Sequence, residues 1–245
     1  MPLLQRLAMR FLPDATQLSH VRSQLAARHA DYSIIASADD DCGKPNNRLF
    51  DLAADAIRIS RDLTLDIFAS RTSTETKWFD VWPGEHYRLL AAFVRLLNPK
   101  TVIEIGTASG MGTLALSQEM KGGTVYTFDL IPWQDFSGTW LAKADFEKRV
   151  VQKVDDVSVP QIMDTYKGLF EDAELIFVDG PKDGMFEPKF ISLLGKLNIK
   201  KGTLLIFDDI RVLNMIVPWR RIDRPKLDLT SFGHWSGTGL VDWTT

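Results

Sequence analysis

The stretch "TVIEIGTASGMGT", from Thr101 to Thr113, decides the fold. Four of its first five residues are β-branched, which is typical of a buried strand. Two glycines then follow four residues apart, Gly106 and Gly110. A glycine permits positive φ at a sharp turn, and it also allows a ligand to approach the backbone closely. The pattern predicts a strand, a glycine loop and a helix, and the loop is either a tight turn without a ligand or a binding site.

Similar apolar runs recur along the chain and are separated by segments with the apolar spacing of helices. Near-continuous apolar strands alternating with helices predict a parallel sheet covered on both faces. Two strand-like pieces near the end flank "GHWSGT", which predicts an antiparallel hairpin. The fold class is therefore α/β, a Rossmann-like doubly wound sheet of seven strands with an antiparallel finish. The predicted strands lie in "TVIEIG", "GTVYTFDL", "RVVQKV", "AELIFVDG", "GTLLIFDD", "KLDLTSF" and "GLVDW".

The first third of the chain has helical spacing of apolar residues and no strong strand pattern. We expect residues 1–78 to form an N-terminal helical extension or lid, and residues 79–245 to form the sheet domain. The sheet domain should open with the amphipathic helix in "PGEHYRLLAAFVRLL", which "NPK" ends.

The composition is that of an ordinary globular protein, with 45% apolar and 25% charged residues. A net charge of -3 argues against a general nucleic-acid or anionic-membrane surface. The single cysteine, Cys42, excludes an internal disulfide and a cysteine-based metal site, and it fits a reducing, cytoplasmic compartment. No apolar run reaches the length of a membrane span.

The residues around the glycine loop narrow the choice of ligand. The dinucleotide fingerprint G-x-G-x-x-G places its middle glycine where this chain has Ala108, which disfavours a pyrophosphate. The next strand ends in Asp129, and an acid there can accept hydrogen bonds from both hydroxyls of a ribose. Glu104 would repel a phosphate and is better suited to organising the loop or binding a cationic amino-acid group.

At this point "VIEIGTASGMGTLAL" resembles the first motif of class I S-adenosylmethionine-dependent methyltransferases, in the form of the catechol and caffeoyl-CoA O-methyltransferases. The resemblance spans roughly Pro83 to Asp209. It implies that Asp129 holds the cofactor ribose and that Asp155 or Asp156 lies near the adenine amino group. It also implies a group of residues around the methionine part of the cofactor. These are Glu104, Gly106, Thr107, Ala108 and Gly110.

Two later strands end in acids, at Asp179 and at the pair Asp208 and Asp209. Both strand ends face the ligand side of a parallel sheet, so the three carboxylates can converge. Carboxylates that converge repel one another unless a cation lies between them, and hard oxygen ligands suit Mg²⁺ or another divalent ion. The alternative is that each aspartate caps the helix that follows it. No combination of Cys and His predicts zinc.

The same resemblance bears on these acids. In catechol and caffeoyl-CoA methyltransferases, an Asp and an Asp-Asn pair at these positions hold the metal, so the resemblance implies Asp179, Asp208 and Asp209 as ligands. The Asp at 209, in place of Asn, is similar to macrolide-sugar and aminocoumarin-sugar O-methyltransferases. Lys182 stands where the catechol-type enzymes carry a general base, and Asp179 is the rival base in the sugar-type enzymes. Lys182 is otherwise a surface lysine in a loop.

The predicted function is methyl transfer from S-adenosylmethionine to a hydroxyl of a small vicinal diol, sugar or catechol, assisted by Mg²⁺. The alternatives are a nicotinamide-dependent oxidoreductase on a similar sheet and a non-catalytic cofactor-binding or assembly protein. The expected partner is a small hydroxylated substrate, without nucleic acid, and the resemblance implies a possible homodimer. His234, in a predicted turn, is more simply explained as a residue without a role than as a substrate contact. His86 belongs to no catalytic pattern.

Overall fold

The computed structural model describes residues 43–69, 71 and 85–243. The first helix, α1, begins after Asn46, whose side-chain oxygen accepts a hydrogen bond from the Leu49 amide at 2.9 Å. The helices, in chain order, are α1 Asn47–Asp62, α2 Asp66–Ala69, α3 His86–Leu97, α4 Met111–Gln118, α5 Lys143–Phe146, α6 Pro160–Thr165, α7 Lys167–Glu171, α8 Phe186–Leu194 and α9 Leu213–Arg221. The strands are β1 Thr101–Ile105, β2 Thr124–Asp129, β3 Val150–Val154, β4 Leu175–Val178, β5 Leu204–Asp208, β6 Lys226–Asp228 and β7 Thr238–Asp242.

The seven strands form one sheet in the order β3-β2-β1-β4-β5-β7-β6. The five strands β1 to β5 pair in parallel, and β7 pairs antiparallel with both β5 and β6. This confirms the predicted doubly wound sheet with an antiparallel finish. Strand order reverses between β1 and β4, so the crevice of a doubly wound sheet lies beyond these two strands.

Strand β6 is shorter than the apolar run "KLDLTSF" predicts and ends at Asp228. The Asp228 carboxylate accepts hydrogen bonds from the Thr230 amide at 2.8 Å and from its hydroxyl at 2.5 Å. This local turn bends the chain away from the sheet, because a short acidic side chain competes with the strand for backbone donors.

Apolar side chains cover both faces of the sheet. On one face Val102 and Phe177 join a buried cluster with residues of α1, α3 and α4, including Leu49. On the other face the ring of Phe128 lies 5.7 Å from that of Phe170. Because neighbouring residues of a strand point to opposite faces, a parallel sheet buried on both sides needs apolar residues at nearly every position.

Helix α1 lies within the segment predicted as an extension and packs on α3. The proposed boundary between residues 78 and 79 stays a prediction, because residues 72–84 lie outside the described residues. Residues 1–42 of the predicted extension also lie outside them. Among the helices that the structure describes, none has the length and apolar character needed to cross a bilayer.

Candidate active site

The carboxyl ends of the parallel strands meet at one edge of the sheet. The Gly106 amide donates to the Phe128 carbonyl at 2.8 Å, and the Asp179 amide donates to the Ile105 carbonyl at 2.8 Å. The glycine loop after β1 therefore lies between the ends of β2 and β4. It stands at the position where strand order reverses, which is where open α/β sheets bind their ligands.

The glycine loop has left-handed backbone at three positions, with φ of 97° at Gly106, 42° at Ala108 and 86° at Gly110. A Cβ atom on Gly106 would overlap the carbonyl oxygen of Asp179. Glycine is therefore required at 106 both for its backbone conformation and for the contact between the two loops. Ala108 adopts left-handed backbone without being glycine, and strained residues of this kind concentrate at functional sites.

Asp129, predicted to hold a ribose, organises the backbone around itself. Its Oδ2 accepts a hydrogen bond from the Ala108 amide at 2.8 Å, and its Oδ1 accepts from the amides of Leu130 and Ile131 at 2.7 and 3.1 Å. A carboxylate has about four acceptor positions, so Oδ2 retains one for a ligand. The side chain of Leu130, beside it, is 68% exposed.

Glu104 lies beneath the loop with 1% of its surface exposed. Its Oε2 accepts a hydrogen bond from the Thr113 hydroxyl at the start of α4. Burial raises the pKa of Glu104 to about 8, although hydrogen bonds from Thr113 and Thr127 oppose that shift. The position agrees with the first of its two predicted roles, the organisation of the loop.

Hydroxyl groups continue this polar network along the loop. Thr107 Oγ1 lies 2.7 Å from Thr127 Oγ1 and accepts a hydrogen bond from Gln152 Nε2 at 3.2 Å. Gln152 also accepts a hydrogen bond from the Trp133 amide at 2.8 Å. Gln152 was not predicted from the sequence, because it lies in the middle of β3 and contacts the loop only across two strands.

The two acids after β3 have different partners. Asp155 Oδ2 accepts a hydrogen bond from the Tyr166 hydroxyl at 2.5 Å, and this bond raises the pKa of Tyr166 to about 12. Asp156 Oδ1 accepts from the Ser158 amide at 2.8 Å, in the local turn that precedes α6. The backbone of Asp155 also bonds to the Asp129 carbonyl at 3.0 Å, so Asp155 is held beside the predicted ribose residue.

The acids after β4 and β5 differ in their nearest partners. Asp208 and Asp209 lie together with His234, and one ligand atom from each falls within 4.8 Å of the others. Asp179 instead forms an ion pair with Lys182, whose Nζ also lies 3.2 Å from Asp209 Oδ2. Lys182 thus stands between Asp179 and Asp209.

Lys182 is held firmly in this position. Its backbone is left-handed, with φ of 56°, and its Nζ also donates to the Gly180 carbonyl at 3.0 Å. Burial alone would lower the pKa of Lys182, but the charges of Asp179 and the neighbouring acids outweigh it and raise the pKa above its ordinary value. Burial has the opposite effect on an acid and raises the pKa of Asp179 to about 6. The charge of Asp208 adds to this shift and the charge of Lys182 opposes it.

Two histidines complete the acidic cluster. His234 Nδ1 lies 3.4 Å from Asp208 Oδ1 and 2.7 Å from Ser236 Oγ. His86 Nδ1 lies 3.8 Å from Asp208 Oδ1, and the two imidazole rings are 5.1 Å apart. Burial lowers the pKa of both histidines, but the neighbouring carboxylates of Asp208 and Asp209 reverse this for His234 and raise its pKa to about 9.

Sequence reasoning missed this pair, although the topology contains a signal for it. A strand antiparallel to β5 must begin at the carboxyl end of β5, and Thr238 in β7 indeed pairs with Asp208. The turn before β7, with His234, therefore lies at the acidic edge. Helix α3 precedes β1 and runs back along it, so its first residue, His86, starts at the same edge.

Comparison with known families decides the class of this site. Residues 103–210 match the family model described as "Methyltransferase domain". Over this segment the chain is similar to a methyltransferase domain. The match begins inside β1 and ends just after β5, so it contains the glycine loop and the acids at 129, 179, 208 and 209. It confirms the methyltransferase resemblance that the glycine loop indicated.

Several solved structures are similar to this chain at low identity. The O-methyltransferase from Bacillus cereus in complex with SAH is 17% identical over 78% of this chain and 90% of that chain, with a TM-score of 0.47. The SAH-bound Podospora anserina methyltransferase PaMTH1 is 16% identical over 96% and 99%, with a TM-score of 0.48. MycE, of the mycinamycin biosynthetic pathway, in complex with Mg and SAH, is 13% identical over 64% and 36%, with a TM-score of 0.41. A search of curated proteins found no match.

Trp133 and Trp140 are held by packing against neighbouring rings. Trp133 stacks on Phe146 with ring centres 4.8 Å apart, and Trp140 meets Phe68 edge-on at 6.0 Å with 8% of its surface exposed. Local packing therefore explains both rings.

Proposed function

We propose that the chain is an O-methyltransferase that transfers the methyl group of S-adenosylmethionine to a hydroxyl of a small molecule, with the help of a divalent cation. One observation carries this proposal. The glycine loop at Gly106 touches the loop that follows β4 at Asp179, and the acidic cluster of Asp208 and Asp209 lies beside it. A methyl donor on the first loop and a substrate hydroxyl near the acids would then be neighbours.

The loop residues support a nucleoside ligand rather than a phosphate. Asp129 Oδ2 retains an acceptor position for a ribose hydroxyl, and exposed Leu130 offers an apolar surface beside it for an adenine ring. The acids of the loop, Glu104 and Asp129, would repel a pyrophosphate but tolerate a sulfonium and an ammonium group. We assign the methionine part to Gly106, Thr107, Ala108 and Gly110. We assign the adenine side to Asp155, because its amide donates to the Asp129 carbonyl and holds it beside the proposed ribose residue.

The donor atoms of the acidic cluster fit a divalent cation. Asp208 is 5% exposed, and its Oδ1 accepts no hydrogen bond from the described residues. A buried carboxylate oxygen without a hydrogen bond is costly, and a cation would relieve that cost. A cation held by Asp208 and Asp209 would lower the pKa of a bound hydroxyl and hold it for attack. Mg²⁺ is the simplest candidate for carboxylate oxygens.

Asp179 fits the role of general base better than Lys182. The Lys182 ammonium has three oxygen neighbours, from Asp179, Asp209 and Gly180, and so uses all three of its protons as a donor. The Asp179 side chain keeps 35% of its surface exposed and stands next to Gly106. We therefore assign proton removal to Asp179 and the orientation of its carboxylate to Lys182.

The acceptor we propose carries two neighbouring oxygens, as a vicinal diol, a sugar or a catechol does. Two oxygens can share one cation, which fixes one of them in line with the methyl group. Positioning of this kind can lower a barrier by roughly 7–11 kcal/mol at best. A homodimer and a cytoplasmic location remain proposals, which light scattering of the purified protein and localisation of the tagged chain would test.

The deciding experiment measures transfer of a labelled methyl group from S-adenosylmethionine to a panel of diols, catechols and sugars, with and without EDTA. We expect the wild type to transfer the methyl group, EDTA to abolish this transfer, and Mg²⁺ or Mn²⁺ to restore it. We expect no transfer by Asp208→Asn. Calorimetry with S-adenosylhomocysteine and with NAD accompanies it. Heat from NAD alone would overturn the proposal in favour of an oxidoreductase, and cofactor binding without transfer to any acceptor would favour a non-catalytic protein.

A further inference from the structure

We propose that the cation in this site is bound by nitrogen as well as oxygen, with His234 as a ligand beside Asp208 and Asp209. Such a site selects a first-row transition ion, such as Mn²⁺, Fe²⁺ or Co²⁺, over Mg²⁺. The inference rests on the proposed function for the presence of a cation. It departs from the three-carboxylate site that the sequence predicts.

The ligand atoms stand within coordinating reach of one another. His234 Nδ1 lies 3.4 Å from Asp208 Oδ1 and 3.7 Å from Asp209 Oδ1, and a cation bound there would replace its 2.7 Å hydrogen bond to Ser236 Oγ. The backbone holds both sides of this arrangement, since the His234 amide donates to Thr238 Oγ1 at 2.8 Å and Thr238 pairs with Asp208 across the sheet. His234 is therefore placed by the register of β7 on β5 and not by a loose loop.

Two buried polar atoms without hydrogen bonds point at the same place. Asp208 Oδ1 and His86 Nδ1 lie 3.8 Å apart, their side chains are each 7% exposed, and neither has a hydrogen-bond partner among the described residues. Buried polar atoms are nearly always paired, so an unpaired donor and acceptor facing one another indicate a place for a ligand. This observation is independent of the clustering of the acids.

The position of Lys182 explains why His234 replaces Asp179 in the proposed ligand set. Its Nζ is paired with Asp179 and lies 3.2 Å from Asp209 Oδ2, so a positive charge already occupies the side of the cluster that faces Asp179. A second cation is repelled from that side and is favoured on the opposite one, toward His234. The ligands left there are two carboxylates and one imidazole.

This ligand set determines which ions are favoured. Imidazole suits Fe, Ni, Cu and Zn better than Mg²⁺, which prefers oxygen and keeps its water, and the affinity of a mixed nitrogen and oxygen site rises from Mn²⁺ through Fe²⁺ to Co²⁺. His86, whose ring lies 5.1 Å from that of His234, acts as a positioning residue against Asp208. Substitution of a residue that orients a metal ligand without binding the metal commonly changes metal affinity by tenfold or more.

The test measures the affinity of the full chain for Mn²⁺, Co²⁺ and Mg²⁺ by calorimetry. Pulsed EPR then examines the Mn²⁺ complex of protein in which all histidines are labelled with ¹⁵N. We expect hyperfine coupling from a directly bound histidine nitrogen, and Mn²⁺ and Co²⁺ affinities that His234→Asn lowers by about tenfold or more. The same variant should change Mg²⁺ affinity by less than about threefold, because imidazole contributes little to Mg²⁺ binding. Phe232→Ala, on the same turn with a 47% exposed side chain, is the control and should leave all three affinities unchanged.

The wild-type spectrum keeps the proposal falsifiable even if His234→Asn folds poorly. Mn²⁺ bound without histidine coupling overturns the nitrogen ligand, and equal losses of Mg²⁺ and Mn²⁺ affinity in His234→Asn do the same. Binding of S-adenosylhomocysteine, measured on the same samples, reports on the proposed function separately. Bound S-adenosylhomocysteine with Mn²⁺ that lacks the coupling leaves a methyltransferase with an all-oxygen site.

Discussion

Replacing Glu104 with glutamine is expected to change how the stability of the protein depends on pH. The carboxyl group is 1% exposed, and burial raises its pKa from 4.5 to about 8. An acid with a raised pKa binds its proton more tightly in the folded protein than in the unfolded chain. The free energy of unfolding therefore falls as the pH rises from about 4.5 to about 8, and it stays at the lower value above that range.

The size of the loss follows from the shift in pKa. At 1.36 kcal/mol per pH unit, a rise from 4.5 to about 8 corresponds to roughly 5 kcal/mol. Glutamine has nearly the same shape, can still accept the Thr113 hydroxyl, and cannot ionise. Glu104→Gln should therefore match the wild type near pH 4.5 and exceed it by several kcal/mol at pH 8.

The assay is urea denaturation of both proteins, without cofactor, at intervals from pH 4.5 to 8.5. The difference between the two free energies of unfolding isolates Glu104 together with its electrostatic coupling to Asp179 and Asp129, because the remaining groups titrate alike in both proteins. Glu147→Gln is the matched control, since its carboxylate is 63% exposed and its removal should leave the curves parallel. A difference for Glu104→Gln that stays within about 1 kcal/mol over the whole range would refute the reasoning.

Three further predictions concern the loop and the acids. Gly106→Ala should cost about 3 kcal/mol or more in stability and abolish S-adenosylhomocysteine binding in calorimetry, because φ is 97° and the new Cβ meets the Asp179 carbonyl. Gly138→Ala, at φ of 79° with open space around it, is the control and should cost only about 1–2 kcal/mol. Asp129→Asn should keep the fold and weaken S-adenosylhomocysteine binding about 10- to 100-fold, since it removes a charged acceptor; unchanged affinity would exclude Asp129 from the ribose site. Asp179→Asn should lower kcat by about 100-fold or more, whereas Lys182→Met should lower it less, and the reverse order in steady-state kinetics would make Lys182 the base.

The sequence alone was sufficient to predict the sheet and to predict which residues lie at the carboxyl ends of its parallel strands. Buried parallel strands must be apolar at nearly every residue, so β1 to β5 are visible as runs, and each run ends at a recognisable polar residue. Because parallel strands end at a common edge, the pattern of runs already brings Gly106, Asp129, Asp179 and Asp208 to one side of the sheet. The glycine loop also indicated the resemblance to methyltransferases, since its backbone conformations restrict the residues that fit.

The neighbours of each acid at that edge were decided only by the tertiary structure. Sequence spacing treats Asp179, Asp208 and Asp209 as equivalent, but Lys182 pairs with Asp179 while His234 faces Asp208. The second contact joins segments 26 residues apart through the antiparallel pairing of β7 with β5. Local patterns report which face of a strand or helix is buried, whereas the partner of a charge depends on register and packing between distant segments, and no local pattern contains these.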